Sequence, residues 1–272
     1  MPASKSRQGT ARTAIKSPRY QPGSIPLLEL DSDPRAIIDP TRHKRLTNFP
    51  KRCVLCFFQD VIDDLVRNGA REIDRAESEG GLHPVYEVEI DGKPLAVAHP
   101  RVGAPLAVAM LERCIARGSR KFVVCGGAGV LDHGVAVGHV IVPSSAVRDE
   151  GTSYHYLPPA REIGPHPGAL RTIQSVLRCT GIDYIEAKTW TIDALYRETR
   201  GKVRMRRAEG CLTVEMEASA LFAVAKFRGV MLAQILYAGD SLGGRKWDHR
   251  NWMRHQAREL VFRLAAESCL RM

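Results

Sequence analysis

Two glutamates stand one residue apart, Glu215 and Glu217, where a short strand-like run (Leu212, Val214) gives way to small and apolar residues (Ala218, Ala220, Leu221, Phe222) of helical character. Side chains alternate on an extended segment, so the two carboxylates are expected to point the same way. Acids crowded by apolar neighbours are costly to bury unless they bind something. The plain alternative is a solvated helix start, where acids favour the N-terminal dipole. A second candidate is the run Cys125-Gly126-Gly127-Ala128-Gly129, directly after an apolar stretch. Read as a turn, it lets backbone N–H groups approach an anion closely. It is neither a P-loop nor a good dinucleotide fingerprint, because no Gly-Lys-Ser/Thr follows and the glycine spacing fails. Glycines needed only for a tight turn are the alternative. A third is the charged, aromatic segment Ser145–Tyr156, expected as a loop after a strand, where α/β proteins place their sites.

The elements that must position these residues read as strands alternating with helices. Cys53–Phe58, Phe122–Cys125, Val137–Val142, Tyr184–Trp190 and Met231–Tyr237 read as strands, and the continuous apolar run Phe122–Cys125 as one buried on both faces. Val85–Ile90 alternates and meets Asp91-Gly92, a hairpin signal, before Leu95–Ala98. Helices are expected from Asp60 to Val66, from Gly103-Ala104-Pro105 to Arg117, over Leu170–Leu177 and through the last 20 residues. The expected architecture is a three-layer α/β/α sandwich around a mixed, mostly parallel sheet. One domain over residues 51–272 follows a basic extension, residues 1–50, partly disordered.

Composition narrows the class. The 272 residues are 44% hydrophobic, ample for a core. No run of 18 apolar residues appears, so no membrane span is expected. Seven cysteines, an odd number in apolar surroundings, suggest reduced thiols and a cytoplasmic setting. Cys53 and Cys56 have redox spacing, but in a strand they face opposite sides of the sheet. The net charge of +10 is a local feature. Residues 1–52 hold eleven Lys/Arg against four Asp/Glu, and the other 220 residues carry only +3. No motif with interleaved aromatics accompanies this tail, so nucleic acid is not an expected partner.

Several segments together resemble the nucleoside phosphorylase family, which includes uridine phosphorylase, the hexameric purine nucleoside phosphorylases and the methylthioadenosine nucleosidases. They are Gly103-Ala104-Pro105, Val124–Gly129, Ala146–Ser153, Thr191–Glu198, Val214-Glu215-Met216-Glu217-Ala218 and Gly239-Asp240, in the family's order over about residues 51–260. The resemblance implies cleavage of a nucleoside's N-glycosidic bond, with no cofactor, no metal, and phosphate as co-substrate. It implies that Glu217 holds the sugar hydroxyls, that Met216 packs on the ribose and that Glu215 assists. Asp240 matches the residue that meets a purine base as it leaves, Leu195 and Tyr196 match positions flanking the base, and Gly126, Gly127 and Arg148 fall on the anion side. A homo-oligomer, dimer or hexamer, is implied, with His83, His99 and Arg101 as candidates to reach a neighbour's pocket.

The sequence departs from the family at the phosphate. Phe57–Ile62 lacks the usual arginine, Val124 replaces a second arginine, and Gly127 replaces a hydroxyl residue. A dianion needs charge or several N–H donors, for which Arg101, Arg148 and the amides of Gly126–Gly129 are candidates. Three readings remain open at this point. One is phosphorolysis at a rearranged site. Another is hydrolysis, with Asp60, Asp63 or Asp64 activating water. The third is a nucleoside sensor without turnover. A purine is the favoured base.

Overall fold

The computed structural model describes residues 25–40 and 48–272. Of the extension read above as partly disordered, residues 1–24 and 41–47 lie outside the described residues. The elements are β1 (Arg52–Cys56), α1 (Gln59–Arg67), β2 (Arg71–Ser78), β3 (Gly81–Ile90), β4 (Lys93–Ala98), α2 (Ala104–Arg117), β5 (Lys121–Val130) and β6 (Val140–Asp149). They continue with β7 (Glu162–Ile163), α3 (Pro167–Thr180), β8 (Tyr184–Ile192), α4 (Arg200–Ala208), β9 (Cys211–Glu215), α5 (Ala218–Arg228), β10 (Met231–Ser241) and α6 (His255–Arg271).

The strands form one mixed sheet between two helical layers, as expected. The pairings through its middle are parallel: β4–β1–β5–β10 on one side, β6–β8–β9 on the other. Antiparallel contacts β10–β6 and β5–β9 join these two sets, so β5, β10, β6, β8 and β9 close on themselves. Alternation along β1 sends Cys53 and Leu55 into the core under α2 and α5, and Val54 and Cys56 into the core under α1, α3 and α6. The two cysteines therefore face opposite layers, and all seven thiols are free. The Asp91-Gly92 hairpin forms with both residues at positive φ, 51° and 70°.

Two expectations change. The glycine run is not a turn. Gly126, Gly127 and Ala128 continue β5 and pair with Leu236, Tyr237 and Ala238 of β10. The glycines serve close packing: a Cβ on Gly126 would lie 3.2 Å from the Phe57 ring, and one on Gly127 3.2 Å from the Tyr237 ring. Ser145–Tyr156 is likewise not one loop, because β6 runs on to Asp149 and a 3₁₀ turn follows at Thr152–His155.

Residues 25–40 lie along the body. The Pro34 carbonyl accepts from Arg228 Nη1 at 2.8 Å, and Leu27 packs beside Gly151.

Candidate active site

The turn from β9 into α5 places the two glutamates, and it gives them different work. Glu215 is buried at the end of β9, and its Oε2 accepts the N–H groups of Glu217 (2.7 Å) and Ala218 (2.6 Å). Its Oε1 accepts from the Thr191 hydroxyl at 2.6 Å. Glu215 therefore caps the start of α5 from within the core, satisfying N–H groups that a helix leaves orphaned. The helix-start reading holds for this residue, though it is buried and not solvated. Glu217 is left with spare capacity. Its Oε1 accepts the Gly103 N–H at 2.5 Å, and its Oε2 takes only a longer contact, 3.3 Å, from the Met216 N–H. Gly103 has φ +98°, a conformation glycine tolerates, which aims its N–H at the carboxylate as the chain enters α2.

Burial of these acids is electrically expensive. Burial and then the Glu215 charge push Glu217 up to about 8, and burial pushes Glu215 up to about 6. Glu217 is only 6% exposed, and no cation is bonded to it among the described residues. A buried acid with free lone pairs facing a cavity suits a ligand that brings its own hydroxyl donors.

That cavity, about 220 Å³, is lined by Glu215, Met216 and Glu217, by Gly126 and Gly127 of β5, and by Phe57, Gln234, Trp252 and Arg258. It thus gathers five of the expected site residues. Gln234, Trp252 and Arg258 are additions. Gln234 is 1% exposed, and its Oε1 has no hydrogen-bond partner among the described residues. It pairs in register with Val124, the position where the family's arginine is missing. A lone amide in the apolar run Met231–Tyr237 was a visible signal. Arg258, on α6, packs over the Phe58 ring (5.7 Å) and the Trp252 ring (5.4 Å). Its Nη1 donates to Asp60 Oδ2 at 3.0 Å. No local pattern marks it, since α6 follows the first strand by some 200 residues.

Other predicted residues sit elsewhere. Arg148 is buried, stacks 4.3 Å from the Tyr154 ring, and donates to Ser153 Oγ (2.8 Å) and the Pro158 carbonyl (2.8 Å). Its guanidinium holds the segment after β6 and does not line the cavity. Asp60, Asp63 and Asp64 do not line it either. Asp63 accepts from Gln59, and Asp64 pairs with Arg67. Burial would raise Asp60, but hydrogen bonds from His255 and Arg258 hold it below the usual carboxylate range. Leu195 is half exposed and Tyr196 is 92% exposed. Arg101 donates to His83 Nδ1 at 2.8 Å and, through its backbone N–H, to His99 Nδ1 at 3.0 Å, so the three candidates for reaching a neighbour form one cluster.

Asp240 lies within β10, near its end, and is not a turn cap. Its Oδ2 accepts the Trp247 indole N–H at 2.6 Å. Its Oδ1 lies 3.4 Å from where a Gly129 Cβ would stand, alongside Val214. Asp240 does not line the Glu217 cavity; it meets β5 at Gly129, two residues on from Gly127, which does.

Comparison with known proteins places this arrangement. A family model described as "Phosphorylase superfamily" matches residues 51–271. A guanosine phosphorylase of Halorubrum lacusprofundi is 26% identical over 167 residues, 59% of this chain and 69% of that protein. A uridine phosphorylase of Haemophilus influenzae is 22% identical over 160 residues, 54% of this chain and 64% of that protein. Among solved structures, a uridine phosphorylase of Vibrio fischeri aligns with TM-score 0.70 at 22% identity, covering 83% of this chain and 94% of that one. A purine nucleoside phosphorylase of Toxoplasma gondii in complex with immucillin-H aligns with TM-score 0.71 at 17% identity, covering 84% and 93%. With the family model matched over residues 51–271, the chain belongs to the phosphorylase superfamily and is an enzyme of the nucleoside phosphorylase kind.

Proposed function

We propose that the protein cleaves the N-glycosidic bond of a purine-type nucleoside by phosphorolysis, giving free base and ribose 1-phosphate. The observation that carries this reading is Glu217, a buried carboxylate with unspent lone pairs facing a cavity. Two sugar hydroxyls donating to it would orient the ring and favour its ionised form, while Met216 covers the ring. The transition state resembles an oxocarbenium ion, so a carboxylate beside the sugar also stabilises developing positive charge. Asp240, beside Gly129 of β5, meets the departing base and supplies a hydrogen bond or proton. Arg258 brings positive charge to the cavity wall, where phosphate would enter beside the Gly126 and Gly127 backbone. Phosphate is the only co-substrate and no cofactor takes part. The working unit is a homo-oligomer, dimer or hexamer.

A second reading, hydrolysis, rests on Gln234. Its unpartnered amide oxygen stands beside Val124 on a neutral wall and would orient a water. The deciding assay incubates the protein with a nucleoside panel with and without phosphate. Phosphate-dependent release of base with ribose 1-phosphate is expected. Release of free ribose without phosphate assigns hydrolysis instead, and thermal stabilisation by a nucleoside with no release of base assigns a sensor.

A further inference from the structure

An unexplained feature lies beyond Asp240. A cavity of about 510 Å³, within the size range of small-molecule sites, opens between α4 and the segment Leu242–Trp247. It adjoins Asp240 and the Gly129 end of the β5 glycine run. Leu242 packs against Gly129, and the Trp247 indole N–H holds Asp240. Its charge is one-sided. α4 turns Arg200, Arg204 and Arg207 to it, spaced at four and three residues and so on one face. Arg245 and Lys246 face them from the loop.

Little in the protein neutralises these five cations. Arg200 donates to the Arg245 carbonyl at 2.6 Å, a neutral partner. Arg207 comes no nearer than 3.8 Å to Asp132. Arg204, Arg245 and Lys246 have no side-chain partner among the described residues. The one acid in the lining is Glu198, which faces Asp240 and which burial pushes up to about 7. Like charges gathered round a concavity raise the local concentration of anions, and guanidinium forks match carboxylate or phosphate oxygens.

We propose that the nucleobase of the substrate carries an anionic substituent, a carboxylate or phosphate group, which extends past Asp240 into this basic cavity. The inference rests on the proposed N-glycosidic cleavage and narrows its substrate class. A substituent on the base fits better than a separate anion, because Trp247 is at once a wall of the cavity and the partner of Asp240. One ligand therefore spans both.

The test compares two probes of nearly equal shape, N6-(carboxymethyl)adenosine and its uncharged carboxamide, in the presence of phosphate. The carboxylate is expected to have the higher kcat/KM, on the order of tenfold. The advantage should shrink as salt rises. Arg204→Glu and Arg245→Glu, both exposed substitutions, should bring the ratio of the two probes down to one or below. Inorganic pyrophosphate should inhibit the carboxylate probe competitively and the carboxamide less. Equal handling of the two probes, alongside cleavage of plain purine nucleosides, overturns the inference and leaves the proposed function standing. Equal inhibition of both probes by pyrophosphate at saturating phosphate, where competition at the phosphate end is removed, would assign the cations to a separate anion and also overturn it. If no nucleoside is cleaved and Glu217→Gln changes the binding of neither probe, the proposed function fails and this inference with it.

Discussion

Glu217 is held at a cost in stability. Its folded-state value of about 8 lies above the ~4.5 of an unfolded glutamate, so the folded protein holds a proton that the unfolded chain releases between those values. Its favourable contribution is complete below about pH 4.5 and is lost as pH rises through 8. Glu217→Gln should therefore stabilise the protein at pH 8–9, by at least ~1 kcal/mol, and leave it unchanged near pH 4.5. Melting temperatures across that range check it. The same variant should lower kcat/KM by roughly 10²-fold or more, through loss of charged acceptors for two hydroxyls. Arg258→Met is expected to raise the KM for phosphate about tenfold or more with a smaller change in the KM for nucleoside. Equal changes in both would remove Arg258 from the phosphate end. That Glu215, Met216 and Glu217 stand together was legible because they share one contiguous run at a strand–helix junction, whereas their roles came from the family resemblance. Arg258 was not legible, since only the packing of α6 on β1 and α1 brings it to the cavity. The different tasks of Glu215 and Glu217 also needed coordinates, because alternation alone puts both on one side.

At the scale of elements, the β5 glycines set how closely strands and side chains meet. A Cβ on Gly129 would fall 2.7 Å from Leu242 Cδ1 and 3.2 Å from Val214 Cγ1, whereas one on Gly243 would fall 2.6 Å from the backbone at Leu131 and His133. A leucine tip can swing away and backbone cannot. Gly243→Ala should thus cost more in denaturant titration than Gly129→Ala, ~3 kcal/mol against ~1 kcal/mol. Leu242→Ala should rescue Gly129→Ala and leave Gly243→Ala unrescued. Strands with continuous apolar runs were legible as elements. β2 and α4 were not. β2 is an edge strand whose charges meet solvent and Arg71–Glu87 pairing. In α4 only Val203 and Arg206 are buried, and Arg206 is held by Asp149 and the Trp190 ring, so charge masks the helical period.

At the scale of the molecule, the layers and the mixed, mostly parallel sheet follow from alternating β and α segments, whereas the strand order came only with the structure. The closure of five strands does not follow either, because it depends on β5 accepting partners on both sides. No helix among the described residues is long and apolar enough to cross a membrane. Tyr196 and Leu195 lie exposed on the single chain and the Arg101–His83–His99 cluster is half-buried, positions that an oligomer would cover. Native mass measurement should give a dimer or hexamer of the 30.1 kDa chain, and a monomer with full activity would remove the oligomer from the proposal.

The closed set β5, β10, β6, β8 and β9 also governs how the protein breathes. Hydrogen exchange at the amides of Gly126–Ala128 and Leu236–Ala238 should proceed only through global unfolding, whereas β2 should exchange early. The long free edge of the sheet is then β2, studded with Arg71, Glu72, Arg75 and Glu77, side chains that discourage a second molecule from adding a strand.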